Sequence, residues 1–301
     1  MNGSPGPEAV LLGPASLDIY LGRDLVLPGG GALNMAWHLA GLGDLWHLLT
    51  RVGDDRPAAF LDFVERHGLT VSASSIVAPG ASASIDIAIR PDLQPHMDNF
   101  VEGVWADYRS TPREQALIAG ARRLHLVLVE GAIRELERLA AAGATGHLEV
   151  SADFLGFRHY SVERFAATMR AVGIGFVGWP GAPGDTTVAA LRDVAHKLGR
   201  LVVVTFGSQG VAAFDGRPGG EDRLLPVTAV PVLGTTVGCG DAFVAHFLAA
   251  WGRSGGDVLA AVEAGKSAGA AATAWRRPLP DQAYGPAAAD ALRRADEAAA
   301  G

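Results

Sequence analysis

The sequence predicts an α/β protein in which helices cover both faces of a mostly parallel central sheet, with a small β lid. Three observations support this class. Short apolar runs alternate with helical segments through the second half of the chain, which is typical of parallel sheets. Before that region, period-two alternation at residues 81–89 predicts a half-exposed strand, and a polar turn and a returning strand after it indicate an antiparallel hairpin over about 81–108. Glycine-rich turns directly precede two predicted helices, at residues 29–31 and 238–240.

The composition describes a globular chain with a large core. Its 301 residues suffice for one large α/β domain, and 49% hydrophobic with 19% charged residues exclude a disordered chain. The net charge of −7 argues against a nucleic-acid partner. The single cysteine, Cys239, suits a reducing compartment. We find no secretory signal pattern and no apolar run that could span a bilayer, so we expect a cytoplasmic protein without a membrane partner.

The first predicted elements carry two candidate ligand-binding features. Ala9–Leu12 indicates a buried strand, and Asp18 follows near its carboxyl end, the edge at which open α/β sheets bind ligands. An ordinary turn aspartate is the alternative. The glycines at 29–31 would let a ligand approach the backbone, and Asn34, in the first turn of the helix that follows, would reach the same ligand. The alternative there is a tight turn followed by an ordinary asparagine.

The remaining elements follow from hydrophobic periodicity. We expect a strand at 45–52, a helix at 58–67, and a lid made of a strand at 81–89, a turn at 92–98 and a returning strand at 99–108. Further strands are expected at 124–129, 148–152, 175–177, 201–206, 211–214 and 224–230, and late helices at 257–275 and 286–301. No interdomain linker is evident, so we expect a single domain over residues 1–301 with the lid at about 81–108 inserted in it.

The stretch GTTVGCGDAFVAHFLAAW, residues 234–251, is the most informative part of the chain. Phe243, Phe247 and Trp251 recur at i, i+4 and i+8, which places one helix face in the core. Residues 238–240 therefore form the N-terminus of that helix. Backbone N–H groups there have no partner within the helix, and together with the positive end of the helix dipole they favour an anion.

Asp241 lies at the mouth of this anion site. A carboxylate there would repel an anion unless it handles a proton. A phosphoryl group at the turn, with Asp241 accepting the proton of a substrate hydroxyl, meets that condition. The alternative is an aspartate that only stabilises the helix through its dipole.

Other catalytic patterns fit the sequence poorly. The G-x-G-x-x-G match at residues 173–178 lies within a predicted strand, whereas a dinucleotide motif needs strand, glycines and helix in that order. The histidines are scattered, which disfavours a catalytic zinc site. Ser208 is outside any G-x-S-x-G pattern, so a serine hydrolase has little support.

Over nearly its full length the chain resembles the ribokinase-like (PfkB) family of small-molecule kinases. PGGGALNMAWHLAGLG is similar to the family's N-terminal glycine–glycine–asparagine motif, and TTVGCGDAFVAHFLAAW to its C-terminal anion-hole motif. VVVTFGSQGVAAFDG is similar to its nucleotide-side strand and turn. The resemblance implies a ribokinase-like three-layer αβα sandwich and an enzyme that uses ATP and Mg²⁺ to phosphorylate a primary hydroxyl of a sugar-like molecule. It also implies a homodimer formed through the lid.

The resemblance also implies residue roles. Asp241 would activate the acceptor hydroxyl. The anion hole would be formed by Gly238, Cys239 and Gly240. The acceptor would be bound by Asp18, Gly29, Gly30 and Asn34. The nucleotide would be bound by Thr205, Gly207, Gly210, Thr236, Gly265 and Gly269.

A narrower resemblance points to fructoselysine 6-kinases. It rests on the short segment between Asp18 and Gly29 and on the run EGVWADY at 102–108. It implies a fructosamine acceptor phosphorylated on its 6-hydroxyl and the lack of a first lid arm. Three acids of the lid would then meet the ammonium groups of the acceptor; the alternative is a solvated surface. These acids are Asp86, Asp98 and Glu102.

Two departures leave alternatives open. Thr235 stands where the family usually has aspartate, and the family's Asn-x-x-Glu motif, tied to Mg²⁺ and phosphate, has no clear copy. Asp185, in GWPGAPGD, is the candidate stand-in as a metal ligand. The alternatives are a PfkB kinase for another ketose or a nucleoside, and a non-catalytic sugar-binding relative. The presence of Asp241 argues against the second, because a binding protein has no need for a carboxylate at an anion site.

Overall fold

The computed structural model describes residues 8–72, 76–157 and 160–300, and its backbone separates into two compact units. The first unit combines the described part of Met1–Gly13 with Arg109–Ala229. The second combines Pro14–Tyr108 with Val230–Gly301. A single functional domain over residues 1–301 stays a prediction.

The elements alternate between strand and helix along most of the chain. The strands are β1 (Ala9–Leu12), β2 (Ser16–Tyr20), β3 (Leu25–Gly29), β4 (His47–Leu49), β5 (Val52–Gly53), β6 (Thr70–Val71), β7 (Val77–Ala78), β8 (Ala83–Ile89), β9 (Pro95–Val101), β10 (Arg123–Val127), β11 (Glu149–Asp153), β12 (Ile174–Gly178), β13 (Leu201–Thr205), β14 (Val211–Asp215) and β15 (Arg223–Leu225). The helices are α1 (Gly31–Gly41), α2 (Pro57–Arg66), α3 (Pro112–Gly120), α4 (Glu130–Ala141), α5 (Val162–Thr168), α6 (Thr186–Leu198), α7 (Cys239–Ser254), α8 (Val258–Ala272) and α9 (Pro286–Ala300).

The first unit is built on a mostly parallel sheet, as the sequence predicts. Its strand order is β15-β14-β13-β12-β11-β10-β1. Its neighbouring strands β1, β10, β11, β12 and β13 pair in parallel, and β14 and β15 extend the sheet antiparallel beyond β13. The parallel strands are buried almost throughout, as a sheet covered on both faces requires. β1 and β13 are apolar, whereas β10 and β11 also bury the polar residues His125, Ser151 and Asp153. The last strand is shorter than expected, because Pro226 follows it directly and has no N–H for the ladder.

A four-stranded sheet of order β3-β2-β8-β9 forms the lid in the second unit. The predicted strand at 81–89 is confirmed as β8. The expected return at 99–108 is wrong, since β9 begins at Pro95 and ends at Val101. EGVWADY instead forms a short 3-10 turn, in which the rings of Trp105 and Tyr108 are buried and stacked with centroids 4.3 Å apart. Burial of these two large rings outweighs strand propensity there.

The segment between Asp18 and Gly29 is a β hairpin, which corrects the expectation that a first lid arm is lacking. β2 pairs antiparallel with β3 and parallel with β8, so this hairpin completes the lid sheet. Asp18 lies within β2 rather than in a turn. The single strand expected at 45–52 is also corrected, because it is split into β4 and β5 by Thr50 and Arg51. The split frees the Thr50 hydroxyl, which accepts a hydrogen bond from the Ala15 N–H at 2.9 Å.

Helix α7 is the centre of the second unit. Its Phe243, Phe247 and Trp251 rings are buried and stacked at 6.3 and 5.8 Å, which confirms the predicted core face. Helices α1 and α8 both pack against α7. A Cβ at Gly265 would lie 2.8 Å from the Phe243 ring, so the close approach of α8 requires glycine there. No helix within residues 8–72, 76–157 and 160–300 is long and apolar enough to cross a membrane.

Candidate active site

The two glycine-rich stretches meet at a hydrogen bond between Asn34 and Asp241. Asn34, buried in α1, donates from Nδ2 to Oδ2 of Asp241 at 2.8 Å. Asp241 is partly buried in the first turn of α7. Burial raises the pKa of the Asp241 carboxyl to about 6, although the Asn34 hydrogen bond favours the charged form. The carboxylate is therefore ionised at neutral pH yet basic enough to accept a proton.

Asp18 supplies a second buried carboxylate near the first. It is 4% exposed in β2. Burial raises its pKa to about 7, the Ser16 hydroxyl, which donates to it at 3.2 Å, lowers the pKa, and the charge of Asp241 raises it again. Two acids with elevated pKa values in one region are typical of a functional site.

Gly29 and Gly30 make room for this arrangement. A Cβ at Gly29 would collide with the Asp18 carboxylate. Gly30 has φ +92°, and a Cβ there would lie 2.7 Å from the carbonyl oxygen of Pro14. The Gly30 carbonyl accepts the Asn34 N–H at 3.0 Å and so begins α1. Both glycines are therefore required by packing around the acid, and direct contact with an acceptor stays a prediction.

In the anion hole expected at residues 238–240, Gly238 is packed against other residues and Gly240 faces open space. Gly238, with φ +80°, would place a Cβ 2.6 Å from the Pro278 Cα. A Cβ at Gly240 would meet no heavy atom within 4 Å, so a ligand has space there. The Cys239 N–H donates to the Thr236 carbonyl at 3.3 Å, which leaves the first-turn N–H groups of Gly240 and Asp241 as the better anion donors. Burial raises the pKa of the Cys239 thiol to about 12, so it carries no charge that would repel an anion.

The tip of the lid is tied to the loop that leads into α7, a contact that the sequence reasoning missed. The fully buried Thr235 hydroxyl donates to the Leu93 carbonyl and accepts from the Val237 N–H, both at 3.3 Å. The Thr236 hydroxyl donates to Oε1 of Gln94 at 2.9 Å. An aspartate at 235 could not donate to the Leu93 carbonyl, so the departure from the family pattern fits this contact. No local pattern in the sequence indicates this contact, because its partners lie 142 residues apart.

Three of the predicted nucleotide-binding residues lie in the first unit. Thr205 ends β13, and its carbonyl accepts the Trp179 N–H at 2.9 Å. Gly207, exposed with φ +58°, and Gly210, with φ +118°, flank the turn into β14. A Cβ at Gly210 would lie 2.7 Å from the Leu225 carbonyl oxygen. These glycines shape an exposed turn at the end of β13.

The other predicted nucleotide-binding residues lie in the second unit. Thr236 holds Gln94, as described above. Gly265 and Gly269 both face α7 from α8, and a Cβ at Gly269 would lie 3.3 Å from the Cys239 carbonyl oxygen. Helix packing accounts for both glycines, and their role towards a nucleotide stays a prediction.

Asp185 stabilises the GWPGAPGD loop. Its Oδ2 accepts hydrogen bonds from Nε1 of Trp179 at 2.8 Å and from the Ala182 N–H at 3.0 Å. Among the described side chains, no three His, Cys, Asp or Glu residues come together as a metal site would need. A metal-binding role for Asp185 stays a prediction.

The acids of the lid lie on its β8–β9 hairpin and just beyond it. Asp86 is paired with Asp98 across the two strands, and its Oδ2 accepts from Nδ2 of Asn99 at 2.9 Å. Asp98 is exposed, and Glu102 is half-buried after β9. Like charges placed opposite one another destabilise a hairpin. A role of these acids towards an acceptor stays a prediction.

Solved structures share this fold. The chain aligns with adenosine kinase from Schistosoma mansoni in complex with 2-fluoroadenosine at a TM-score of 0.78 and 16% identity, over 93% of this chain and 99% of that one. It aligns with ribokinase from Arabidopsis thaliana complexed with ribose and ATP at a TM-score of 0.68 and 20% identity, over 96% and 99%. The chain therefore has the ribokinase-like α/β fold, as its sequence predicts.

Sequence comparison adds a family match over part of the chain and similarity to two kinases. Residues 175–276 match the pfkB family carbohydrate kinase. Fructoselysine 6-kinase of Escherichia coli (strain K12) is 26% identical over 241 residues, 80% of this chain and 87% of that protein. Cytidine kinase of Thermococcus kodakarensis is 27% identical over 258 residues, 82% and 89%. The chain is therefore similar to kinases over most of its length and matches the pfkB family carbohydrate kinase over residues 175–276, which confirms the predicted resemblance.

Proposed function

We propose that this kinase transfers the γ-phosphoryl group of ATP to a primary hydroxyl of a sugar or sugar derivative, and that the acceptor is fructoselysine or a related fructosamine phosphorylated on its 6-hydroxyl. One observation carries the proposal. Asp241, with an elevated pKa, is held by Asn34 at 2.8 Å beside the open side of the first turn of α7.

Residues of the second unit have separate roles in the transfer. Asp241 accepts the proton of the acceptor hydroxyl as its oxygen attacks phosphorus. The first-turn N–H groups of Gly240 and Asp241, with the dipole of α7, stabilise the charge on the transferring group. Asp18 accepts a hydrogen bond from another acceptor hydroxyl and orients the sugar. The Asn34 amide fixes the carboxylate of Asp241.

ATP supplies the phosphoryl group, and Mg²⁺ neutralises the phosphate charge when both are bound. The open side at Gly240 fits a phosphate. We include Thr205, Gly207, Gly210, Thr236, Gly265 and Gly269 as nucleotide-binding residues and Asp185 as a metal contact in this proposal.

The acceptor proposal rests on the lid. The Asp86–Asp98 pair and Glu102 offer negative charge to an amino sugar, and fructoselysine 6-kinase of Escherichia coli is among the similar proteins. A cytoplasmic location, suited to the single Cys239, and a homodimer through the lid belong to the same proposal.

The test is ADP release from ATP and Mg²⁺ across an acceptor panel, with the Asp241→Asn variant as the blank. The panel contains fructoselysine, other fructosamines, fructose, ribose, 2-keto-3-deoxygluconate, adenosine and cytidine. Turnover on the fructosamines alone supports the full proposal. Turnover on another acceptor keeps the phosphoryl transfer and rejects the fructosamine assignment.

A second acceptor class has its own support, because cytidine kinase of Thermococcus kodakarensis is also similar to this chain. Turnover on cytidine or adenosine would favour it. A non-catalytic sugar-binding protein would show sugar-dependent thermal stabilisation without ADP release. The placement of Asp241 argues against that alternative, because a binding protein has no need for a buried carboxylate of elevated pKa beside an open anion site.

A further inference from the structure

We propose that Arg277 and Asp296 are positioning residues: through the segment from Trp275 to Pro278 they fix the position of the anion hole at the N-terminus of α7. The proposal rests on the proposed phosphoryl transfer at residues 238–241. Its structural part, the order of the loop before α7, is tested separately below.

The segment from Trp275 to Pro278 supports the loop that leads into α7 at both ends. At one end, the Thr235 N–H donates to the Trp275 carbonyl at 2.8 Å, and a Cβ at Gly234 would collide with that carbonyl. At the other end, Pro278 lies directly beneath Gly238, the residue that caps α7. The segment from Trp275 to Pro278 and the loop before α7 are thus in close backbone contact, so a displacement of the segment would displace the loop.

Arg277 connects this segment to the C-terminal helix. Its side chain is 1% exposed, and its guanidinium pairs with Asp281 at 2.6 Å and Asp296 at 2.8 Å. The same guanidinium donates to the Leu292 carbonyl at 3.3 Å. Asp296 uses its other oxygen to pair with Arg276 at 2.8 Å. One carboxylate on α9 thus holds two successive arginines of the supporting segment.

The guanidinium of Arg277 is buried whereas its carboxylate partners reach solvent, so removing a partner leaves a buried charge with less compensation, which is costly. A buried ion pair adds little to net stability, so the proposal assigns to Arg277 and Asp296 a role in the geometry of the supporting segment. Here that geometry sets the position of Pro278, and through Pro278 that of Gly238 and the N–H groups at the start of α7. Transition-state stabilisation depends on donors placed in advance, so the expected effect is on turnover.

Two variants test the proposal. Asp296→Asn removes the charge and keeps the shape, and Arg277→Lys keeps the charge but cannot reach both acids as a guanidinium does. We expect turnover to fall about tenfold to a hundredfold in each, since small displacements at a reacting centre have effects of this size. The KM values for ATP and acceptor should change less than about threefold, because the donors act mainly in the transition state. The matched control is Asp290→Asn, which removes an exposed pair with Arg293 on the same helix.

Amide hydrogen exchange of the peptide 234–243 gives a readout that does not depend on activity. We expect faster exchange there in both variants than in the wild type and the control, with a cooperative thermal transition retained. Unchanged exchange, or a loss of turnover that merely equals the loss of folded protein, would overturn the proposal. If the wild type phosphorylates no acceptor while exchange still rises, the proposed function fails and the support by Arg277 and Asp296 stands.

Discussion

At the scale of single residues, Asp241 is subject to two opposing influences. Burial raises its pKa to about 6, and the Asn34 amide, 2.8 Å away, stabilises the ionised form. The result is a carboxylate that is charged at neutral pH and still basic. A carboxylate that only stabilised the helix dipole would be better exposed, with its ordinary pKa.

The first prediction concerns this carboxylate. Asp241→Asn keeps the shape and removes the base, so we expect turnover to fall by about a hundredfold or more with acceptor binding retained. Steady-state kinetics and acceptor-induced thermal shifts measure the two effects. Asp193→Asn, at an exposed acid of α6, is the matched control for charge. Turnover of Asp241→Asn within tenfold of the wild type would rule out its role as the base.

The second prediction is the pH dependence of kcat/KM. The pKa values of Asp241 and Asp18 are raised to about 6 and about 7, so both acids become protonated as the pH falls through that range. A protonated Asp241 cannot accept a proton, and we expect kcat/KM to decrease towards acid pH with a limb between these values. In Asp18→Asn only the limb near the pKa of Asp241 should remain. A profile without an acid limb between pH 5 and 8 would contradict the assignment.

At the scale of elements, two glycines at the start of α7 have different surroundings, and this difference gives a third prediction. Gly238 has φ +80° and touches Pro278, whereas a Cβ at Gly240 would meet nothing within 4 Å. We expect Gly238→Ala to lower the free energy of unfolding by about 2 kcal/mol or more, from backbone strain and crowding. Gly240→Ala should leave it unchanged within about 0.5 kcal/mol. Urea unfolding compares the two, and equal effects would contradict the described cap.

The contact between the lid tip and the loop before α7 gives a fourth prediction. Gln94→Ala removes the acceptor of the Thr236 hydroxyl, so the lid should be held less firmly over the acceptor. We expect the acceptor KM to rise about threefold to tenfold, the effect of losing about 1 kcal/mol of a hydrogen bond, with kcat less affected. His96→Ala, at an exposed residue of the same hairpin, is the control. An acceptor KM equal to that of the control would exclude a role for this contact.

The sequence was most informative for elements whose signal is local. The apolar period of α7 and the glycines at both helix starts predicted their structure and the position of Asp241. The lid was predicted less well, because a tight hairpin at 16–29 and the burial of Trp105 and Tyr108 depend on partners far along the chain. The Thr235–Leu93 contact spans 142 residues, and no local pattern encodes it.

At the scale of the whole molecule, buried ionisable groups connect function with stability. His125 and His38 are buried with pKa values lowered to about 3 and about 4, mainly by burial. Their folded forms bind fewer protons than the unfolded chain, so they favour folding more as the pH rises to their ordinary value of 6.5. The raised pKa values of Asp18 and Asp241 act in the opposite direction over a similar range. The acids of the candidate site therefore reduce a stability gain that the core histidines provide.

The last prediction follows from this opposition. The folded pKa values of Asp18 and Asp241, about 7 and about 6, lie above the ordinary 3.8, so their contribution to stability is present at acid pH and is lost as the pH rises through the folded values. Replacing both acids by asparagine removes this loss of stability with rising pH. We expect the double variant to exceed the wild type by at least about 1 kcal/mol at pH 8, seen as a Tm about 2–4 °C higher, with little difference at pH 4.5. Asp193→Asn, at an exposed acid of α6, should show no such trend. A double variant that is less stable than the wild type at pH 8 would mean that the two carboxylates are structural anchors, and the trade of stability for catalysis proposed for this site would not hold.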